Sequence, residues 1–178
     1  MNTISTDNIQ RNMHQLVFEF LQQSFDESRE GFCTEIGIEL LPDCKLRISD
    51  NGRGLPLSRD MRASKAVLDK ILAGRHISNA EYSQMGDLMQ ANLQTVNSLC
   101  EELQVIVSRN GSQFQQDYIR GIAQHDLTIS DSSDTQGTTI TMKPDSVIFG
   151  NTDFSREIIQ AWLDENAPDN EIVRTRFI

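Results

Sequence analysis

The chain has 178 residues, of which 38% are apolar, and no stretch of low complexity, enough for one sizeable core and too little for two ordinary domains. A formal net charge of −10 excludes broad, sequence-independent contact with nucleic acid, which needs lysine and arginine to replace phosphate counterions. The opening MNTISTDNIQRNMHQ has no basic start followed by an apolar run, and nowhere do about eighteen apolar residues follow one another, so a protein that stays in the cytoplasm, off the membrane, is expected.

In chain order, Met13, Leu16, Val17, Phe20, Leu21 and Phe25 fall at helical spacing, and Glu19, Gln23 and Asp26 form a polar stripe on the same helix. TEIGIEL and KLRISD read as a hairpin turning at Pro42 and Asp43. The following Asp50-Asn51-Gly52-Arg53-Gly54-Leu55-Pro56 is turn chemistry, with glycines that allow positive φ or the close approach of a ligand. Helices are predicted over residues 62–72 and 88–103, with the polar stretch GRHISNAEYSQ between them read as a loop. Asn110-Gly111 joins QVIVSR to SQFQQDYI in a second hairpin. GTTITMKP gives another strand, residues 154–163 a helix, and EIVRTRF a last strand. The order predicts an α+β two-layer sandwich, with helices on one face of a mainly antiparallel mixed sheet. Cys33, Cys44 and Cys100 are odd in number and far apart, and read as reduced structural thiols. Arg53, Arg59, Arg62, Lys65 and Lys70 cluster in sequence and read as a solvated loop and helix face.

A carboxylate within the first helix, then a strand ending in Asp50 and a glycine-rich turn, suggests a small-molecule site. HQLVFEFLQQSFDESREGFCTEIGIEL, LRISDNGRGLP, VNSLCEELQVIVSRNG and GTTITMKPD together resemble, in order and spacing, the ATPase domain of the gyrase B and topoisomerase IV subunits, members of the GHKL family with its Bergerat ATP-binding fold. The resemblance runs from about Asn12 to Phe177 and implies ATP or ADP bound between the helix layer and the sheet.

By that resemblance Glu19 matches the general base that activates water, a role requiring hydrogen-bond reach of that water. Asp50 matches the aspartate that accepts a hydrogen bond from the adenine amino group, since an ionised carboxylate is purely an acceptor. Thr138 matches the threonine that shares this contact through water, and Gly54 the glycine that lets the purine approach. Arg53, Pro56 and Arg109 match residues at the mouth and floor of the pocket, and Phe20, Ser24, Ile48, Leu55 and Ile140 its walls.

Other positions depart from the family. Its asparagine ligand for Mg²⁺ is replaced by Gln23, one methylene longer, which fits poorly with the strict octahedral geometry of that ion. The phosphate-cradling Gly-Gly-Leu-His-Gly-Val-Gly lid corresponds to Gly86-Asp87-Leu88-Met89-Gln90-Ala91-Asn92, with one glycine left and an added negative charge. The family's dimerisation arm and transducer domain have no counterpart here, so a monomer is expected. Three functions stay open: a degenerate module that binds an adenine nucleotide with weak or no hydrolysis, an active ATPase module of a divergent topoisomerase, or an interaction partner or decoy of a gyrase subunit.

Overall fold

A computed structural model describes residues 6–85, 91–132, 135–168 and 174–177. The long first helix α1 (Thr6–Arg29) leads into a hairpin of β1 (Glu35–Leu41) and β2 (Lys45–Asp50). Three helices follow, α2 (Met61–Ile71), α3 (Asn79–Met85) and α4 (Leu93–Ser98). Then come β3 (Cys100–Arg109), β4 (Ser112–Ile119), β5 (Ile122–Ala123), β6 (Thr128–Asp131) and β7 (Gly137–Pro144). The described chain ends with α5 (Ser146–Phe149), α6 (Arg156–Asn166) and β8 (Arg174–Phe177).

The strands form one sheet in the order β5-β4-β3-β7-β2-β1-β8, with β6 also paired to β4. Among the described residues every pairing is antiparallel except β1 with β8, which is parallel. Alternation decides the faces. Leu103, Val105 and Val107 of β3 and Phe114 and Tyr118 of β4 are buried, whereas Gln104, Ser108, Gln113 and Gln115 take the other face. The apolar stripe of α1 lies on the buried side, so one core gathers Leu16, Val17, Phe20 and Leu21 with Ile36, Ile38, Leu46, Ile48 and Met142. Helix and sheet therefore form the two layers expected of an α+β sandwich.

The helix α6 is fixed to α1 by aromatic rings and by one hydrogen-bonded histidine. Trp162 stacks on Phe18, with centroids 4.4 Å apart and planes 5° apart, and on Phe25 at 5.6 Å. His14, fully buried, accepts a hydrogen bond at Nε2 from the Ser155 N–H (2.9 Å), and Ser155 itself caps α6. Because that amide can only donate, Nε2 is unprotonated, and Nδ1–H donates to the Gln10 carbonyl at 2.8 Å.

Three expectations need correction. The helix predicted over 88–103 is helical only from Leu93 to Ser98 among its described residues, and Cys100 already begins β3. Leu103, Val105 and Val107 alternate at period two and pack on the core, which overrides the weak helical preference of the preceding glutamates. The stretch read as a loop contains α3, started by a capping box: Ser78 Oγ accepts from the Glu81 N–H (3.2 Å), and a Glu81 carboxylate oxygen accepts from the Ser78 N–H (2.9 Å). The short strands β5 and β6 lie along the outer edge of β4 in a segment that carries no strand signal in its sequence. Residues 86–90, most of the altered lid, and Leu88 at the start of the longer helix lie outside the described residues.

The thiols are free, with Cys33 and Cys100 buried and Cys44 half-buried. Among the basic cluster, Arg59 pairs with Asp131 and Lys65 with Asp69, while Arg62 and Lys70 are exposed. No helix among the described residues is long and apolar enough to cross a membrane.

Burial pushes the His14 pKa below its ordinary value, and protonating Nε2 would turn the acceptor of the α6 cap into a second donor. The unfolded chain takes up a proton at this position below about pH 6.5 and the folded chain resists doing so, so stability is lost as pH falls through that value. The urea midpoint is expected to drop from about pH 7.5 to about pH 5.5, and to drop less in His14→Gln, which keeps an acceptor that does not titrate. Equal drops in both proteins would remove His14 from the account.

Candidate functional site

Between α1 and the buried face of β2 and β7 the layers leave a cavity of about 200 Å³. Its polar floor is Asp50, the last residue of β2, paired in register with Thr138 at the start of β7. The site exists because β7 begins with glycine: a Cβ on Gly137, at φ +140°, would stand 1.9 Å from the Asp50 carbonyl oxygen. No side chain fits there. The close approach lets the Thr138 N–H donate to Asp50 Oδ1 (3.3 Å), which also accepts from the Gly52 N–H (2.9 Å).

The other carboxylate oxygen, Oδ2, accepts from Ser24 Oγ at 2.7 Å. Ser24 is therefore not the apolar-wall residue expected from sequence; it is a buried donor on α1 that orients the Asp50 carboxylate. Burial raises the pKa of Asp50 above the ordinary aspartate value, while the bonds from Ser24, Gly52 and Thr138 pull the other way. The result is an anionic acceptor held rigidly at the end of a largely apolar cavity.

Phe20, Ile48, Leu55, Pro56 and Ile140 line this cavity, as expected from sequence, and Ile71, Leu72 and Leu93 join them from α2 and α4. Gly54 sits at φ +72°, and a Cβ there would come within 2.7 Å of Val107 Cγ1 and 3.6 Å of Thr138 Oγ1. Only glycine brings the turn this close to β7 and leaves the cavity open beside Thr138.

The structure separates the remaining expected residues. Gln23 lies on the rim with its residue exposed, while Glu19, one helical turn earlier and half-buried, is not among the lining residues. Arg53 is held outside the lining. Its backbone N–H and Nε donate to Glu27 Oε2 (3.0 and 3.1 Å), and Nη2 donates to Glu27 Oε1 (2.7 Å) and Glu30 Oε2 (2.6 Å). The guanidinium also covers the Phe32 ring at 3.6 Å. Arg109, at the end of β3, donates through Nη1 to the Gly54 and Leu55 carbonyls at 3.4 Å, bracing the turn.

Sequence reasoning misses Glu27, yet it lines the cavity and fixes Arg53, whose hydrogen bonds hold its carboxyl below the ordinary glutamate value. A signal exists: Glu27 lies one turn after Gln23, on the polar stripe that starts at Glu19. A groove on the opposite face of the sheet, lined by Lys45, Gln104, Asp117 and Lys143 among others, is larger at about 460 Å³ but lacks the apolar walls and buried acceptor of the first cavity.

No protein-family model matches the chain. Curated relatives do. The chain is 34% identical over 166 residues to the B subunit of DNA gyrase from Borrelia hermsii, covering 91% of this chain and 26% of the relative. It is 35% identical over 164 residues to the corresponding protein of Archaeoglobus fulgidus, covering 88% and 26%. The chain thus spans about a quarter of the length of these relatives. Among solved structures, it aligns with the 43K ATPase domain of Thermus thermophilus gyrase B in complex with an aminocoumarin (TM-score 0.70, 31% identity), over 85% of this chain and 39% of that one. The topoisomerase IV ATP-binding domain of Francisella tularensis in complex with a small-molecule inhibitor has the same fold (TM-score 0.75, 21% identity), over 92% of this chain and 80% of that one. The chain is a homologue of the ATPase domains of DNA gyrase B and topoisomerase IV, and belongs to that family.

Proposed function

We propose that this chain is a single nucleotide-binding domain that holds the adenine ring of ATP or ADP in the cavity and hydrolyses the nucleotide weakly or not at all. The observation that carries the reading is the buried Asp50 carboxylate, fixed by three donors at the closed end of an apolar slot. In this reading Asp50 accepts from the adenine amino group, Thr138 shares that contact, and the ring lies against Gly54. Phe20, Ile48, Leu55, Pro56 and Ile140 close on the ring as walls, Ser24 aims the acceptor, and Arg53 and Arg109 brace the mouth.

Weak hydrolysis is supported by the polar end of the site. The side chains present do not suit Mg²⁺: Gln23 is exposed on the rim, and among the described residues no three His, Cys, Asp or Glu side chains gather as a metal site. Glu19 retains the residue type for a general base, and any turnover is assigned to it. The net charge of −10 supports a role without direct nucleic-acid contact, as a monomer whose protein partner would be a gyrase or topoisomerase subunit.

Asp50→Asn keeps the shape of the side chain and the two backbone bonds to Oδ1 but presents an amide donor to the cavity. With adenosine or ADP at about a hundredfold over Kd, the wild type should melt several degrees higher than without ligand, and the variant should show no rise. Since ionised Asp50 is buried at a cost, the free variant should melt no lower than the free wild type. A ligand-dependent rise retained by the variant would dismiss Asp50 as the acceptor. For turnover, ATP hydrolysis is expected to be slow and to vanish in Glu19→Ala; hydrolysis unaffected by that change would reject Glu19 as the base.

A further inference from the structure

We infer that the cavity selects the adenine ring with its sugar and discriminates against the phosphate chain, so that the preferred ligand is an uncharged adenine nucleoside; this rests on the adenine-binding reading above. Among the described residues, the charged side chains lining the cavity are Asp26, Glu27 and Asp50, all carboxylates, with no lysine, arginine or histidine beside them. Each phosphate added to a bound nucleoside brings negative charge toward this acidic wall, and the repulsion grows along the series.

The nearby cations do not offset it. Arg53 places its guanidinium on Glu27 and Glu30 and against Phe32, and Arg109 is turned onto two backbone carbonyls. Backbone amides are committed as well. Those of Gly52 and Thr138 point at Asp50, and the Thr95 amide in the first turn of α4 donates to the Asn92 side chain at 2.8 Å. Next to that turn the cavity meets Leu93, an apolar side chain. The volume agrees: about 200 Å³ lies below the roughly 300–1,000 Å³ of sites that enclose drug-sized ligands, and suits a ring more than a nucleoside triphosphate.

Calorimetric titration with adenosine, AMP, ADP and ATP, each with and without Mg²⁺, tests this. Affinity is expected to fall in that order, with adenosine about tenfold or more tighter than ATP at low salt and the gap closing near about 0.3 M salt. Affinity that stays level or rises along the series, with or without Mg²⁺, overturns the inference and leaves the adenine-binding reading standing. Binding of none of the four compounds overturns both. Glu27→Gln removes one carboxylate and weakens the hold on Arg53, so the gap between adenosine and ATP should shrink several-fold; an unchanged gap overturns its electrostatic origin. Should Glu27→Gln fail to fold, Asp26→Asn, at an exposed lining position, makes the same test.

Discussion

The site depends on one close approach of two backbones. At the start of β7, Gly137 packs against the Asp50 carbonyl where any side chain would collide. This contact puts the Thr138 amide within reach of the Asp50 carboxylate and sets the register that runs down β2 and β7 to Leu46 and Met142 in the core. On the other side, Ser24 reaches from α1 to the same carboxylate, so helix layer and sheet meet at a single anion. A buried carboxylate is tolerated because it is held by three donors, and it keeps an unusual pKa as a consequence.

The helix that carries the site is also the principal core helix. Leu16, Leu21 and Phe25 anchor α1 on the sheet, so Phe20, Gln23, Ser24 and Glu27 are presented to the cavity by a rigid element and not by a loop. The same helix accepts α6 through Trp162 and through the cap made by His14 and Ser155. Geometry at Asp50 is thereby tied to packing on both sides of α1.

Much of this is legible in the sequence, for physical reasons. The apolar spacing of α1, the two hairpins and the strand GTTITMKP carry strong periodic signals, and the structure places all of them where the pattern does. The cavity walls and the floor at Asp50, Gly54 and Thr138 come together because the turn chemistry of SDNGRGLP requires glycine at set positions. Sequence reasoning fails where a local pattern competes with a tertiary one. Glutamates before Val105 suggest a continuing helix, although the alternation that follows is buried against the core. The capping box at Ser78 and Glu81 is hidden inside a polar stretch. Ser24 and Glu27 are the instructive cases at the site: their roles depend on partners 26 residues away, Asp50 and Arg53, which no local pattern specifies.

In this account Asp50 is above all an ionised acceptor awaiting a donor. Carbonyl-detected NMR of the Asp50 carboxyl through a pH titration, without ligand and with saturating adenosine, measures that state directly. The free protein is expected to titrate above the ordinary aspartate range and the adenosine complex to stay ionised to lower pH, because a donor at the carboxylate favours its charged form. An Asp50 carboxyl whose shift and titration are the same with and without adenosine would contradict it.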